Sequence, residues 1–285
     1  MAATTIGEAL LRASSFLKGS SPTPGLDARV LLMHTLKKDE VYLYTYGDEL
    51  LSPEAAEAFF ARVERRKKGE PAAYITGWKE FMGRPFKVDS RVLIPRPETE
   101  ILVEEAVKSL EKAFPHRRAL RILDLGTGSG AVAVTAACLL PEAAVYAIDI
   151  SAAALEVARE NAALLQVAER ITFLEGDLLS SLPSTLNFEL IIANLPYIPE
   201  ESFLSLPVEV RNFEPHLALN GGEKGLALYR RLLPEVCGRV APGGIVALEI
   251  GLGQAAEAAA LFPPGSMEII KDYAGIDRVI LWRAA

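Results

Sequence analysis

The chain has 285 residues, half of them hydrophobic and 24% charged, a composition that excludes a disordered, collagenous or disulfide-stapled protein and fits one or two packed domains. Thirty basic against 37 acidic residues give a formal charge of -7, so the protein as a whole repels a polyanion and lacks the broad basic surface of a non-specific nucleic-acid binder. Cys138 and Cys237 lie far apart in apolar contexts and read as buried thiols of a reducing compartment, while His34, His116 and His216 stand without the partners a metal site needs.

The opening MAATTIGEALLRASSFL has no basic segment ahead of its apolar one, and no apolar run approaches the roughly 18 residues of a membrane span. A cytoplasmic protein without a membrane partner is expected. Up to about residue 70, apolar residues recur at helical spacing: Ile6, Leu10 and Leu11, then Val30, Leu31, Leu32 and Leu36, then Phe59, Phe60 and Val63. Ser52-Pro53-Glu54 supplies a cap, a first-turn proline and an early acid for the third helix. The spacing predicts a small helical bundle over 1–72. Through Glu70 the bundle holds ten basic and ten acidic residues, so the net charge resides in the remainder. Arg65-Arg66-Lys67-Lys68 closes the third helix and reads either as an RNA contact or as a solvated end complementing the helix dipole.

Residues 73–95 alternate apolar and polar side chains around Met82-Gly83-Arg84-Pro85, which predicts a β-hairpin connector. From residue 96 to 285 strands and helices alternate: a helix from Thr99, RILDLG, a helix from Ala131, AVYAIDI, a helix from Ala152, ITFLEGD, ELIIANLPY, a helix from Lys224, GGIVALEIG, a helix from Gln254, and a closing pair at MEIIKDY and DRVILWR. This rhythm predicts an α/β fold, a mostly parallel sheet with helices on both faces.

Asp124-Leu125-Gly126-Thr127-Gly128-Ser129-Gly130 follows an apolar strand and opens a helix, where glycines let a ligand approach the backbone. By itself the spacing fits NAD, FAD, S-adenosylmethionine or a bare turn. Three acids favour S-adenosylmethionine. Asp124 suits an ammonium and would repel a pyrophosphate; Asp149 ends the next strand, where it can accept ribose hydroxyls, a feature shared with NAD enzymes; Asp177 can take the adenine amino group beside Leu178, or else cap a helix.

The next strand runs into Asn194-Leu195-Pro196-Tyr197. An amino group conjugated to a carbonyl or aromatic ring has a delocalised, weakly nucleophilic lone pair. A methyltransferase must therefore hold that nitrogen in line and make it more electron-rich. The Asn194 side-chain oxygen and the Leu195 carbonyl can each accept one of its N–H bonds, Pro196 fixes the turn, and Tyr197 can stack on the flat face. Glu249 at its strand end, and Arg96 with Glu98, read equally as site lining or as a satisfied strand-end acid and a connector salt bridge.

With these motifs the sequence resembles the bacterial release factor glutamine methyltransferase family over nearly its full length. The resemblance is carried by the helical N-terminal region, Gly77-Trp78-Lys79-Glu80-Phe81, Leu93-Ile94-Pro95-Arg96-Pro97-Glu98-Thr99-Glu100, the glycine loop, Asn194 to Ile198, Val210 to Pro215, and Asp272-Tyr273 with Asp277-Arg278. It implies a Rossmann-like class I methyltransferase domain that uses S-adenosyl-L-methionine, yields S-adenosyl-L-homocysteine, and methylates the glutamine of the Gly-Gly-Gln motif of peptide chain release factors, thereby modulating translation termination. It places Gly126, Thr127, Gly128, Ser129, Gly130, Asp149, Leu178 and Asn194 at the cofactor, where Asp177 is expected from its own position, and Asn194, Leu195, Pro196 and Tyr197 at the glutamine amide. Two positions depart from the family pattern: Leu195 replaces the first proline of Asn-Pro-Pro-Tyr, and Leu178 replaces a frequent aromatic.

Asn-Leu-Pro-Tyr also occurs in rRNA adenine dimethyltransferases, so an RNA adenine-N6 methyltransferase is the rival reading. The acidic charge and the N-terminal bundle speak against it. A monomer with a release factor as its protein partner, and without a stable nucleic-acid partner, is the expectation.

Overall fold

A computed structural model describes residues 4–116 and 119–284, and the chain divides into two compact units. One comprises Met1–Trp78 together with Leu206–Phe213; the other comprises Lys79–Ser205 and Glu214–Ala285.

The first unit holds α1 (Ile6–Leu17), α2 (Pro24–Leu36), α3 (Glu40–Thr45), α4 (Pro53–Lys67) and α5 (Ala72–Thr76). Thr5 and Glu8 form a reciprocal capping box at α1, and Ser52 caps α4 through the Ala55 N–H. Leu17, Leu31, Leu32 and Phe59 fill the core with no exposed surface, each burial contributing roughly 1.5–3 kcal/mol. The six-residue α3 and five-residue α5 exceed the three helices expected, because elements so short show no helical period.

Three of the four basic residues closing α4 make contacts inside this unit, and Lys68 is exposed. Arg65 pairs with Glu70; Arg66, 2% exposed, bonds Asp27 and Glu209; Lys67 lies over the Phe16 ring and donates to the Phe16 carbonyl. The RNA-contact alternative for this run has no support in these contacts.

The hairpin is narrower than residues 73–95. Its strands are β1 (Trp78–Phe81) and β2 (Arg84–Lys87), joined by Met82 and Gly83, both at positive φ as a two-residue hairpin turn requires. Phe81 and Phe86 insert into the core of the second unit, and the Asn161 side chain bridges Lys87 and Ser129.

The second unit continues with α6 (Pro97–Ala113), β3 (Arg121–Leu125), α7 (Ala131–Leu139), β4 (Ala144–Asp149), α8 (Ala152–Leu164), β5 (Ile171–Glu175), β6 (Phe188–Ala193), α9 (Val208–Phe213, counted with the first unit), α10 (Ala227–Val236), β7 (Val240–Glu249), α11 (Ala255–Ala259), β8 (Ser266–Lys271) and β9 (Asp277–Arg283). The sheet order is β5-β4-β3-β6-β7-β9-β8, parallel from β5 to β7 and antiparallel at the last two. Side chains alternate across it. Ile122, Leu190 and Ile192 pack with α6 and α7, while Leu123, Ile191 and Val246 pack with α10 and α11. The alternation predicted from residue 96 onward is the observed α/β fold.

Strand order reverses between β3 and β6, and ligands of open parallel sheets bind beyond the carboxyl ends at such a switch point. Register fixes the neighbours there. Leu125 pairs with Ile148 and with Ala193, and Ala193 pairs with Leu248, so Gly126, Asp149, Asn194 and Glu249 all follow the same edge.

Cys138 and Cys237 are free and half-buried, against opposite faces of the sheet. Among the described residues no helix is long and apolar enough to cross a membrane, and no cluster of His, Cys, Asp or Glu forms a metal site.

Candidate active site

A cavity of about 290 Å³ opens at this edge, near the lower end of small-molecule pockets, roughly 300 Å³. Gly126, Gly128, Asp149, Asp177, Leu178, Asn194, Leu195 and Pro196 line it, together with Arg231 and the stretch around Pro215 and Leu217.

The glycine loop is held by backbone. The N–H groups of Gly126 and Thr127 both donate to the Ile148 carbonyl, at 2.9 and 3.0 Å. Gly126 has φ +72, and a Cβ there would lie 2.9 Å from Leu195 Cδ2; Gly128, at φ +54, would bring a Cβ no nearer than 4.0 Å to the Gly126 carbonyl oxygen. Two glycines therefore leave room on the cavity side that side chains would occupy. Gly130 serves packing instead, since a Cβ would meet Ala158 at 3.0 Å, where α7 and α8 approach.

Thr127, Ser129, Gly130 and Tyr197 do not line the cavity. The first three were expected at the cofactor; in the structure each also holds the loop together. The Thr127 hydroxyl donates to Asp124 Oδ2 at 2.6 Å, the Ser129 carbonyl accepts from Asn161, and Gly130 starts the wholly buried first turns of α7. Asp124 is also off the wall, contrary to the ammonium contact expected of it. Only 1% exposed, it accepts from Thr127 and from the Ala133 N–H, and burial pushes its carboxyl up to about 7. It stitches the loop to the helix that follows.

Asp149 meets the cavity. Oδ2 accepts from the Gly128 N–H at 2.8 Å and Oδ1 from the Ser151 N–H at 2.9 Å. Burial raises its pKa while these backbone donors pull it back, so the carboxylate is desolvated but oriented. Asp177 pairs with Arg231 at 2.6 Å through Oδ2, a contact that takes it away from the helix-capping alternative. Leu178, at φ +53, is held in the left-handed region on the cavity wall, a conformation that costs a leucine about 1–2 kcal/mol.

The Asn194 loop is held by side chains from distant elements. Asn194 Nδ2 donates to Thr99 Oγ1 at 2.9 Å; Thr99 Oγ1 donates to Glu249 Oε2 at 2.7 Å; the Tyr197 hydroxyl donates to Glu249 Oε1 at 3.1 Å. Glu249 has no exposed surface, and its main-chain carbonyl accepts the hydroxyl of buried Tyr229. Burial raises the Glu249 pKa, opposed by Thr99, Tyr197 and Arg278. Leu195 does more than fill a proline position, since its side chain closes over Gly126.

Thr99 was not singled out by sequence reasoning. Its signal lay in the Ile-Pro-Arg-Pro-Glu-Thr-Glu segment, where Pro97 starts α6 and so sets Thr99 in its first turn. Of the residues left unassigned, Glu249 joins the site and Arg96 is a connector ion pair, donating to the buried Glu214.

The PrmC N-terminal domain family matches residues 8–77, and a methyltransferase domain family matches residues 116–250. A release factor glutamine methyltransferase of Moorella thermoacetica is 44% identical over 97% of this chain and 96% of its own length, and one of Koribacter versatilis is 40% identical over 92% of each. Among solved structures, the hMettl16 catalytic domain in complex with the MAT2A 3′UTR hairpin 6 superposes with TM-score 0.55 at 14% identity, covering 75% of this chain and 82% of that one, a likeness of fold alone. With relatives this similar over nearly the whole length, the chain belongs to the release factor glutamine methyltransferase family and is an S-adenosylmethionine-dependent enzyme.

Proposed function

We propose that this protein transfers the methyl group of S-adenosyl-L-methionine to the side-chain amide nitrogen of the glutamine in the Gly-Gly-Gln motif of peptide chain release factors, leaving S-adenosyl-L-homocysteine, with one amide proton released to solvent. Family membership supports the reading, and one observation carries it: the Asn194 loop leaves β6 directly beside Gly126 on a single cavity.

The cavity suits the cofactor chemically. Asp149 keeps lone pairs beyond those taken by its two backbone donors, and ribose hydroxyls are the donors that fill them. Asp177, with Arg231 behind it, has an oxygen for the adenine amino group, and Leu178 offers an apolar surface to the ring. Gly126 and Gly128 let the backbone approach closely, whereas Thr127, Ser129 and Gly130 contribute by keeping the loop in shape. When bound, S-adenosylmethionine supplies a methyl group on a positively charged sulfur.

The chain's own residues prepare the acceptor. Asn194 Oδ1 and the Leu195 carbonyl take the two N–H bonds of the glutamine amide, which aims the nitrogen and stabilises positive charge growing on it. Pro196 fixes the turn that presents the carbonyl. Tyr197, anchored at its hydroxyl by Glu249, supplies a flat face for the amide plane. A single glutamine offers too little surface for selectivity, so recognition of the folded release factor falls to the unit containing α1–α5. This reading has a monomeric cytoplasmic enzyme with no stable nucleic-acid partner.

The test is transfer of a labelled methyl group from S-adenosylmethionine to purified unmodified release factor, alongside unmodified ribosomal RNA, followed by mass mapping. Label on the Gly-Gly-Gln glutamine is expected. Label on RNA adenine instead would replace the substrate assignment.

A further inference from the structure

An asparagine amide has two ends of nearly equal size, and only one of them accepts hydrogen bonds. Asn194 is useful to a substrate nitrogen in one orientation; turned over, it would set an NH₂ group against another donor. Its neighbours decide between the two.

Thr99 Oγ1 lies between the Asn194 amide and the Glu249 carboxylate, 2.9 and 2.7 Å from them. A threonine hydroxyl has one proton to donate. With a carboxylate behind it, that proton goes to Glu249, and Oγ1 is left only as an acceptor toward Asn194. Nδ2 must then face Thr99, and Oδ1 is the end left for the cavity that Asn194 lines. The polarity of the chain begins at Glu249, whose second oxygen is occupied by the Tyr197 hydroxyl. Arg278 from β9 favours the anion, Glu98 from α6 opposes it, and Tyr229 holds the main chain at the same residue. The Glu249 position is rigid as well, since it follows Leu248 in the strand register that pairs Leu248 with Ala193.

We propose that Thr99 is a positioning residue for methyl transfer: through its hydroxyl, the buried Glu249 carboxylate holds the Asn194 amide in the one orientation that presents an acceptor to the substrate nitrogen. This deepens the reading above and rests on the acceptor role given there to Asn194. Thr99 does not line the cavity, so its loss is expected to act on the methyl-transfer step and to leave the binding of both partners nearly untouched.

The experiment compares wild type, Thr99→Val, Thr99→Ala and Thr99→Ser in steady-state methylation of an unmodified release factor, with S-adenosylmethionine binding by calorimetry and thermal unfolding measured beside it. Thr99→Val keeps the shape and removes the hydroxyl, and it is expected to lower kcat about tenfold or more. Cofactor Kd and the KM for release factor should stay within about threefold, and Thr99→Ser should recover most of the lost kcat. Thr99→Ala carries the same expectation and covers the case in which valine does not fold. Wild-type kcat in both the valine and alanine variants would overturn the proposal, as would a serine variant no better than valine or a cofactor Kd that weakens in step with kcat. If wild type methylates RNA adenine and not the release factor, the substrate reading fails by itself. The Thr99 comparison then runs on adenine, whose amino group needs the same acceptor, with the same outcomes deciding it.

Discussion

The two loops that meet at the cavity are held in opposite ways. The glycine loop after β3 is shaped mostly through its backbone: positive-φ glycines, two N–H groups on the Ile148 carbonyl and one on Asp149 of the adjoining strand, and an acid and a hydroxyl within four residues of each other. The Asn194 loop after β6 takes its shape from elsewhere, from Thr99 on α6 and Glu249 on β7, which lie 95 and 52 positions from the loop residues they hold. The first loop has to admit a ligand to bare backbone, which only local conformation can arrange. The second has to aim one polar atom, which needs a rigid polar contact from outside the loop. Cofactor binding and acceptor activation are therefore separable, and substitutions should divide along that line.

The largest effect is expected at Gly126. A side chain there must adopt φ +72 and displace Leu195, so Gly126→Val should remove measurable S-adenosylmethionine binding in calorimetry. Retained affinity would show that the loop is not the cradle. A smaller loss is expected for Asp149→Ala, which removes the carboxylate from the cavity; cofactor affinity should fall about 10–100-fold, while kcat at saturating cofactor changes less. Unchanged affinity would place the ribose elsewhere.

The smallest effect concerns Asp124, which tests how fully the loop seals its acid from water. Its folded-state pKa, about 7, lies above the ordinary 3.8, so between these values the folded protein holds a proton that the unfolded chain has lost. The stability linked to that proton is greatest at and below about pH 4 and is lost as pH rises through about 7. Asp149 and Glu249, also raised by burial, add to the decline. Urea unfolding at several pH values should show stability falling from pH 5 to 8 in wild type, and less steeply in Asp124→Asn. Equal slopes would mean that the buried carboxyl is ionised throughout.

The same contrast explains what could be read from the sequence. The glycine loop, Asp149 and the Asn194 motif were legible because each is a contiguous pattern at a strand end, and the strand register then brings them together. The alternation of strands and helices was legible for the same reason. Asp124 was read as a cofactor contact because its place before the glycines gives its charge but not its direction, and Thr127 and Ala133 absorb the carboxylate. Thr99 escaped notice because nothing near it in sequence marks a hydroxyl as functional; its importance comes from Glu249, which arrives only when α6 packs on β7. The short helices α3 and α5 were missed because five or six residues carry no period.

The most direct measurement of the division between the loops is a comparison of Asn194→Ala with wild type in two assays, cofactor affinity by calorimetry and methyl transfer to unmodified release factor. Transfer is expected to fall by a factor on the order of 100–1,000 or more, while cofactor affinity changes by less than about tenfold. An Asn194→Ala enzyme that still methylates the factor at near wild-type rate, or one whose loss of activity is matched by loss of cofactor binding, would contradict the account.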